Sequence, residues 1–323
     1  MSDNVRPPQP LPERPSLGDL VTLRRLITEG DAAPVRALLE SSRGLAAAPF
    51  PDGGTPLHLA AEENRPELVG LLVEHGASVE TKYLDSGHSA LSWAITCWSF
   101  DAAMKLVELG NEPDLFCAAG LGLTDRVRAF WKSGRLKRHP SRTGSSRYDE
   151  SGKRLPCPPE TDRDQVSDAL YIACRANRLE VARWLIDRGA DPNWRGYAGA
   201  TCLGWAEFSA NAELCALLRE HGGRDDLVDT EFQATPAVFA LMVYAGWGFP
   251  RKLWDRLSAD RASVNACGGR GTLLHAAAEA GQEKTIELLV RLGADKAALN
   301  PAGQTPLDLA VANGHARVAE LLK

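Results

Sequence analysis

The sequence predicts an all-α fold, a solenoid of about nine helix-hairpin repeats that carry short β-hairpin fingers. A small apolar residue, usually alanine, recurs at intervals that are mostly 33 or 34 residues, and in most copies a glycine follows it sixteen residues later. Each copy contains two short segments with helical apolar periodicity, and neither is long enough to form a stable helix alone. One hairpin cannot cover its own apolar face, so the copies must stack on one another. The recurring residues are Leu26, Ala60, Ala94, Ala118, Ala173, Ala206, Ala240, Ala277 and Ala310.

The second copy shows why each repeat should form two helices. Thr55 is a residue type that caps helix N-termini, and Pro56 follows at the first helical position, where its missing N–H has no cost. Leu57 lies three residues before the recurring alanine, on the same helical face. A second apolar-periodic run covers residues 67–74, and Gly76 supplies the left-handed residue that ends a helix. The unit is therefore a helix hairpin.

Three segments carry a resemblance to a known family. Residues 54–61 read GTPLHLAA, residues 305–310 read TPLDLA, and residues 189–193 read GADPN. These motifs resemble the signature of ankyrin repeats, and the resemblance covers about residues 20–323. It implies a divergent array of bacterial type that serves as an interaction scaffold, because ankyrin repeats mostly bind partners and rarely catalyse reactions.

One elongated repeat domain is expected over residues 17–323, because a solenoid has no single core and grows by contacts between neighbouring repeats. Residues 1–16 are rich in proline and contain no apolar stretch, so we expect a disordered tail there. The first repeat lacks the Thr-Pro opening and carries several arginines, as a solvent-facing cap should. The repeats are predicted near residues 20–44, 53–80, 85–111, 112–134, 167–193, 199–224, 233–262, 270–297 and 303–323.

Two junctions depart from the regular spacing. Ala118 follows Gly110 by only eight residues, which is too few for a finger to leave, turn and return. After Gly134, a loop insertion over residues 135–165 is rich in Pro, Ser, Gly and Arg and has no helical or strand periodicity, so no helix is expected through its centre. The glycines expected to close second helices with positive φ are Gly76, Gly110, Gly189, Gly222 and Gly293, and Gly134 fills the same slot in the fourth repeat.

Composition limits the function classes. The formal net charge of −5 at pH 7 argues against nucleic acid as the main partner, because a dedicated binder usually carries a basic excess. The chain has no run of 18 apolar residues, and residues 1–16 do not resemble an export signal, so no membrane partner is expected. We therefore expect a cytoplasmic protein, and we interpret it as a monomer.

The sequence offers no recognisable catalytic or metal-binding motif. The seven cysteines are an odd number without any Cys-x-x-Cys, so they are interpreted as reduced thiols and no metal site is expected. A phosphate-binding glycine loop, His-Glu-x-x-His and Gly-x-Ser-x-Gly are absent, so no catalytic residue and no cofactor are expected. Five histidines occupy slots where ankyrin repeats commonly carry histidine, and they are expected to bond neighbouring backbone: His58, His75, His221, His275 and His315.

The slots that resemble concave-face positions suggest a binding groove. These positions are the residue immediately before the recurring alanine and the residues two and three after it. In repeats three to seven they hold apolar or aromatic residues, whereas in the outer repeats they hold more polar residues. Exposed aromatic area in water is unfavourable by about 25 cal/mol per Å². We therefore expect something to cover these side chains, with Tyr148 anchoring the insertion if it folds back and finger residues contacting the partner. The predicted binding residues are Trp93, Cys97, Leu121, Tyr148, Trp194, Arg195, Tyr197, Trp205, Phe208 and Phe239.

Three functional readings remain open at this point. The first is a scaffold that recognises a protein or peptide through the aromatic groove of repeats three to seven. The second is an enzyme or small-molecule-binding protein with its site in the same groove, lidded by the insertion at 135–165; such a site needs a closed pocket with convergent polar groups. The third is a purely structural or regulatory role. A separate alternative for the aromatic side chains is that they pack against one another or beneath the insertion.

Overall fold

The computed structural model describes residues 15–83, 87–137, 142–145, 155–157 and 159–323. The chain forms two compact units, residues 1–117 and 118–323. The described residues of both units are mostly helical, which confirms the all-α solenoid prediction. The expected tail lies, up to residue 14, outside the described residues, and the prediction of one continuous domain remains a prediction.

The first unit consists of paired helices. They are α1 (Leu17–Glu29), α2 (Ala32–Ser41), α3 (Pro56–Glu62), α4 (Pro66–Glu74), α5 (Ala90–Thr96) and α6 (Phe100–Glu108), followed by the beginning of α7 (Leu115–Leu121). The first helices α1, α3 and α5 pack side by side, and so do the second helices α2, α4 and α6.

The second unit repeats this arrangement. Its elements are α8 (Thr124–Arg128), β1 (Trp131–Lys132), β2 (Arg135–Leu136), α9 (Asp162–Arg175), α10 (Leu179–Ile186), α11 (Cys202–Phe208), α12 (Ala212–Glu220), α13 (Pro236–Gly246), α14 (Pro250–Ala259), β3 (Cys267–Gly268), β4 (Gly271–Thr272), α15 (Leu273–Glu279), α16 (Glu283–Arg291), α17 (Pro306–Ala312) and α18 (Ala316–Leu322). The first helices α9, α11, α13, α15 and α17 form one continuous layer, in which each packs on the next.

The recurring alanine lies where these first helices touch. Ala60, Ala173, Ala206 and Ala277 are fully buried. A longer side chain would hold the neighbouring backbones apart. Overpacking of this kind lowers stability by about 1–3 kcal/mol. The recurrence of alanine at this position of the repeat thus reflects a requirement of helix-on-helix packing.

The predicted helix ends are confirmed. Thr55 and Thr305 are N-caps of α3 and α17, each with proline at the following position. Gly76, Gly110, Gly189, Gly222 and Gly293 all have positive φ, between 84° and 96°. The register on which the repeat assignment depends is therefore correct at these five positions.

Arg256 stands in the glycine slot of the seventh repeat because α14 does not end there. The helix continues to Ala259, and the Arg256 guanidinium donates to Glu207 on α11 at 3.0 Å. Arg219 donates to the other carboxylate oxygen of Glu207 at 2.8 Å. Burial raises the pKa of Glu207, but the hydrogen bonds from both arginines outweigh it and hold the pKa below its usual value.

The fingers are short and not uniform. Residues 109–114, between α6 and α7, contain no strand, which confirms the prediction that this finger is missing. In the second unit β3 pairs with β4, whereas the finger between α10 and α11 has a single bridge, Arg195 with Thr201.

The prediction that Gly134 closes a second helix is wrong. The second helix of that repeat, α8, stops at Arg128, and β1 and β2 then form an antiparallel hairpin. Ser133 and Gly134 form its turn with φ of 52° and 76°. A two-residue hairpin turn of this kind needs positive φ at both central residues, so glycine serves it as well as it serves a helix end.

Three of the five predicted histidines join neighbouring repeats, whereas His75 bonds the Leu71 carbonyl of its own helix. The His58 ring bonds the backbone carbonyl of His88 through Nε2 at 3.1 Å, and the His275 ring bonds that of Gln304 at 3.0 Å. His315 bonds the carbonyl of Glu279 in the same manner. Among the described residues, no helix combines the length and the apolar character that crossing a membrane requires.

Candidate functional site

The two predicted site residues of the first unit lie on and after α5. Trp93 is partly exposed, and its indole N–H donates to the Glu62 carboxylate at 3.2 Å. Its ring lies 5.7 Å from that of Tyr83 and 5.7 Å from that of His88. Cys97 caps the end of α5 and is also partly exposed. Trp93 therefore belongs to a small aromatic cluster that keeps one face in contact with solvent.

The predicted aromatic residues of the second unit are not exposed. Trp205 is 0% exposed, and Phe208 and Phe239 are also buried. The Trp205 ring makes edge contacts with Phe239 at 5.2 Å and with Phe208 at 5.6 Å. Leu121, at the end of α7, is buried as well. These side chains are covered, as the sequence led us to expect, so they do not form an open docking surface.

Tyr171 and Arg175 on α9 cover part of Trp205. The indole N–H of Trp205 donates to the Tyr171 hydroxyl at 2.8 Å, and the Arg175 guanidinium lies 4.2 Å from the Trp205 ring centre. Burial raises the pKa of Tyr171 to about 12, so its hydroxyl keeps its proton and donates to the Tyr197 carbonyl at 3.4 Å. Arg175 also lies 5.9 Å from the Tyr197 ring, which completes a cation–π layer from the core to the surface.

The finger after α10 presents one aromatic ring to solvent. Tyr197 is 47% exposed. Trp194 is partly buried because its indole N–H donates to the Asp168 carboxylate at 3.1 Å. The Arg195 guanidinium donates to the Val228 carbonyl at 2.8 Å, so this arginine ties two loops together. Of the three predicted finger residues, Tyr197 is therefore the most accessible to a partner.

The described parts of the insertion are attached close to Trp194. The Ser145 backbone N–H donates to Asp168 at 2.9 Å, and the Ser145 hydroxyl donates to the same carboxylate. The Cys157 thiol donates to the Gly144 carbonyl at 3.2 Å. Tyr148, the predicted anchor, lies outside the described residues. Asp168 thus holds both the finger tryptophan and Ser145 of the insertion.

Beyond this aromatic layer lies a cavity of about 230 Å³. Its walls come from α13, α15, the loop before α13 and the β3–β4 finger, and they include Glu231, Met242, Trp247, Arg270, Ala276 and Glu279. Trp247 is partly exposed and lies 6.2 Å from the buried Trp205 ring, so the cavity continues the aromatic layer.

The sequence did not predict this cavity, although two of its lining residues lie at positions that a register argument can reach. Ala276 and Glu279 occupy the concave-face slots of the eighth repeat, which the sequence placed among the polar outer repeats. Trp247 could not be placed by register, because α13 has eleven residues where neighbouring first helices have seven, and the extra turn moves the tryptophan to the cavity.

The chain was compared with known proteins. A model of ankyrin repeats in three copies matches residues 22–117 and 241–323, and a single ankyrin-repeat model matches residues 168–197. Palmitoyltransferase AKR1 of Lachancea kluyveri is 30% identical over 168 residues, which are 50% of this chain and 22% of that protein. Palmitoyltransferase ZDHHC13 of Mus musculus is 24% identical over 257 residues, 68% of this chain and 37% of the relative.

E3 ubiquitin-protein ligase KEG of Arabidopsis thaliana is 23% identical over 308 residues, which are 89% of this chain and 16% of the ligase. The chain therefore spans between 16% and 37% of the length of these three relatives. They are eukaryotic, and the bacterial type of the array remains a prediction. The matched repeats, the stacked helix hairpins and the left-handed glycines together identify the chain as a member of the ankyrin-repeat family.

Proposed function

We propose that this chain is a scaffold that binds a protein or peptide through the first helices and fingers of its second unit. Ankyrin repeats generally serve protein interaction. The accessible aromatic residues of the proposed surface are Tyr197 and Trp247, rather than the buried Trp205, Phe208 and Phe239. Trp93, in the first unit, is a second candidate contact.

The observation that carries this proposal is the cation–π layer below the two accessible rings. Arg175 lies against both Tyr197 and Trp205, and Trp205 lies beside Trp247. Rings that rest on a buried, hydrogen-bonded base lose little conformational entropy when a partner binds. Tyr and Trp in such settings commonly dominate the affinity of an interface.

Catalysis is not part of the proposal. Two relatives are named as palmitoyltransferases and one as a ubiquitin ligase, but the chain matches at most 37% of their length. Such an activity would be a property of a whole protein rather than of its repeats. We also propose that the protein is cytoplasmic and monomeric.

The alternative is a small-molecule site in the same region, with or without catalysis. The cavity next to Trp247 supports this alternative, because small-molecule sites are typically concave with a few polar groups on their walls. Its volume of about 230 Å³ is below the range of about 300–1,000 Å³ typical of drug-sized ligands, so a portion of a peptide fits it better.

The proposal can be tested with a peptide selected from a display library against the wild-type chain. We expect Tyr197→Ala and Trp247→Ala each to weaken binding of that peptide by tenfold or more, since hot-spot truncation costs about 2 kcal/mol or more. Variants of Trp205 are unsuitable, because replacing a buried tryptophan by alanine costs about 3–5 kcal/mol and would test folding.

Trp254→Ala is the matched control. Trp254 is 44% exposed but lies on α14, where it lines a separate surface groove of about 400 Å³. Its removal should leave the affinity within about twofold of wild type. Unchanged affinity in both the Tyr197 and Trp247 variants, measured by titration calorimetry at equal melting temperature, would contradict the proposal.

A further inference from the structure

The cavity beside Trp247 has a distinctive charge pattern. Two acidic residues line it, Glu231 from a loop and Glu279 from α15, and Arg270 lines its finger side. Among the residues that the structure describes, neither carboxylate has a basic partner within 4.0 Å. The lining of the cavity therefore includes two acidic residues and one basic residue.

The other polar groups around the cavity are already engaged. His275 accepts the Thr272 backbone N–H through Nδ1 at 3.1 Å, and its Nε2 bonds the Gln304 carbonyl at 3.0 Å, so both ring nitrogens have partners. The Asp229 carboxylate behind the cavity accepts two backbone N–H groups, those of Phe232 and Ala234, which fixes the loop that carries Glu231. The position of Glu231 is thus set by the fold.

The electrostatic environment of Glu231 agrees with an excess of negative charge. Burial, followed by the nearby Asp229 carboxylate, raises the pKa of Glu231. Arg270 and Arg175 act in the opposite direction but do not reverse the shift. A positive group brought into the cavity would remove this penalty, because an opposite charge a few ångströms away stabilises the carboxylate form.

We propose that the cavity takes one positively charged side chain, a lysine or an arginine, of the partner peptide. Its charged head would lie between Glu231 and Glu279, and its aliphatic stem would lie along the Trp247 ring and Met242. An indole face attracts cations, and the volume of about 230 Å³ suits a single side chain. This assignment rests on the proposed function, since it names the chemistry of the partner at that same surface.

The test uses the full chain labelled with 5-fluorotryptophan, and the Trp247 resonance is identified by its loss in Trp247→Phe. The probes are the acetylated, amidated tripeptides Gly-Arg-Gly, Gly-Lys-Gly, Gly-Gln-Gly and Gly-Glu-Gly. We expect the two basic peptides to shift the Trp247 resonance saturably, and the neutral and acidic peptides to bind at least fivefold more weakly. Raising the salt concentration should weaken the binding of the basic peptides, because salt screens charge pairs at the surface.

The double variant Glu231→Gln/Glu279→Gln should weaken the arginine peptide about tenfold, whereas Glu287→Gln, an exposed glutamate on α16, should not. Melting curves confirm that the variants are folded. Equal binding of neutral and basic peptides, or full affinity in the double variant, would overturn the inference. So would a diamine such as putrescine binding more tightly than the arginine peptide. If the inference failed, loss of binding of the display-selected peptide in Trp247→Ala would still support the proposed function. Failure of the inference can therefore be distinguished from failure of the proposed function.

Discussion

His58 links its own repeat to the next finger through both ring nitrogens. The Thr55 hydroxyl donates to Nδ1 at 2.8 Å, and Nε2 donates to the His88 carbonyl at 3.1 Å. Nδ1 can accept from the Thr55 hydroxyl only while it carries no proton, because a protonated Nδ1 is a donor. Burial lowers the pKa of His58 below its usual 6.5, and the bond to His88 opposes this only in part. The fold therefore prefers the uncharged ring.

The stabilisation from His58 should accordingly depend on pH. Since the folded-state pKa lies below the unfolded value of about 6.5, the contribution is present above that pH and is lost as the pH falls below it. We expect His58→Gln to lower the free energy of unfolding by about 1–3 kcal/mol at about pH 7.5, and by clearly less at about pH 5.5. Urea unfolding at the two pH values measures both differences.

His221→Gln is the control for this comparison, because His221 is exposed at the end of α12. Its unfolding free energy should follow that of the wild type at both pH values. A constant difference between wild type and His58→Gln across this pH range would show that the His58 ring does not titrate as proposed.

Trp205 illustrates what residue-level reasoning could and could not foresee. The register correctly placed it on a first helix next to the recurring Ala206, and the sequence correctly raised the question of what covers it. The answer depends on Tyr171 and Arg175, which come from the preceding repeat and show no signal in the Trp205 repeat itself. Side-chain cover of this kind is a property of packing, so periodicity alone cannot predict it.

At the level of elements, the glycine that follows a second helix determines how the chain leaves it. After α10, Gly189 has φ of +84°, and the next residue, Ala190, donates back to the Leu185 carbonyl at 3.2 Å. A β-carbon at Gly189 would meet no atom within 4 Å. Any cost of a side chain there is therefore a backbone cost, since only glycine adopts this conformation without strain.

We expect Gly189→Ala to lower the free energy of unfolding by about 1 kcal/mol or more. Gly246→Ala is the matched control in the same unit, because Gly246 ends α13 at an ordinary φ and an added β-carbon would make normal contacts at 3.7 and 3.9 Å. Alanine at that site should be neutral or stabilising by up to about 1 kcal/mol. Equal effects of the two substitutions in urea unfolding would contradict the assignment.

A glycine at the helix-closing position can either end a helix or occupy a hairpin turn, and the sequence alone could not distinguish these two structures. Gly134 stands at the helix-closing spacing, but the five-residue α8 ends earlier and the glycine serves a hairpin turn. Gly110 gave a correct prediction by the same rule, because α6 runs to Glu108 and an ordinary helix end follows. The difference lies in the length of the preceding helix, which a weak apolar pattern does not fix.

For the whole molecule, we expect the free energy of unfolding to be a sum of local contributions rather than the property of one cooperative core. In a repeat protein each element contacts only its neighbours, so the total is close to a sum of local terms. In the second unit α16 packs on α14, α15 and α18. Damage to α16 should therefore spread to those helices first and reach distant ones last.

Leu289→Ala tests this on the intact chain. Leu289 is fully buried on α16, and its truncation should cost about 2–5 kcal/mol. We expect hydrogen exchange measured by mass spectrometry to show faster exchange in α14 to α18, while α9 to α11 keep their protection. Leu288→Ala, at a partly exposed position on the same helix, should change exchange much less. If Leu289→Ala instead accelerated exchange equally from α9 to α18, the second unit would unfold as one cooperative block and nearest-neighbour additivity would not apply to it.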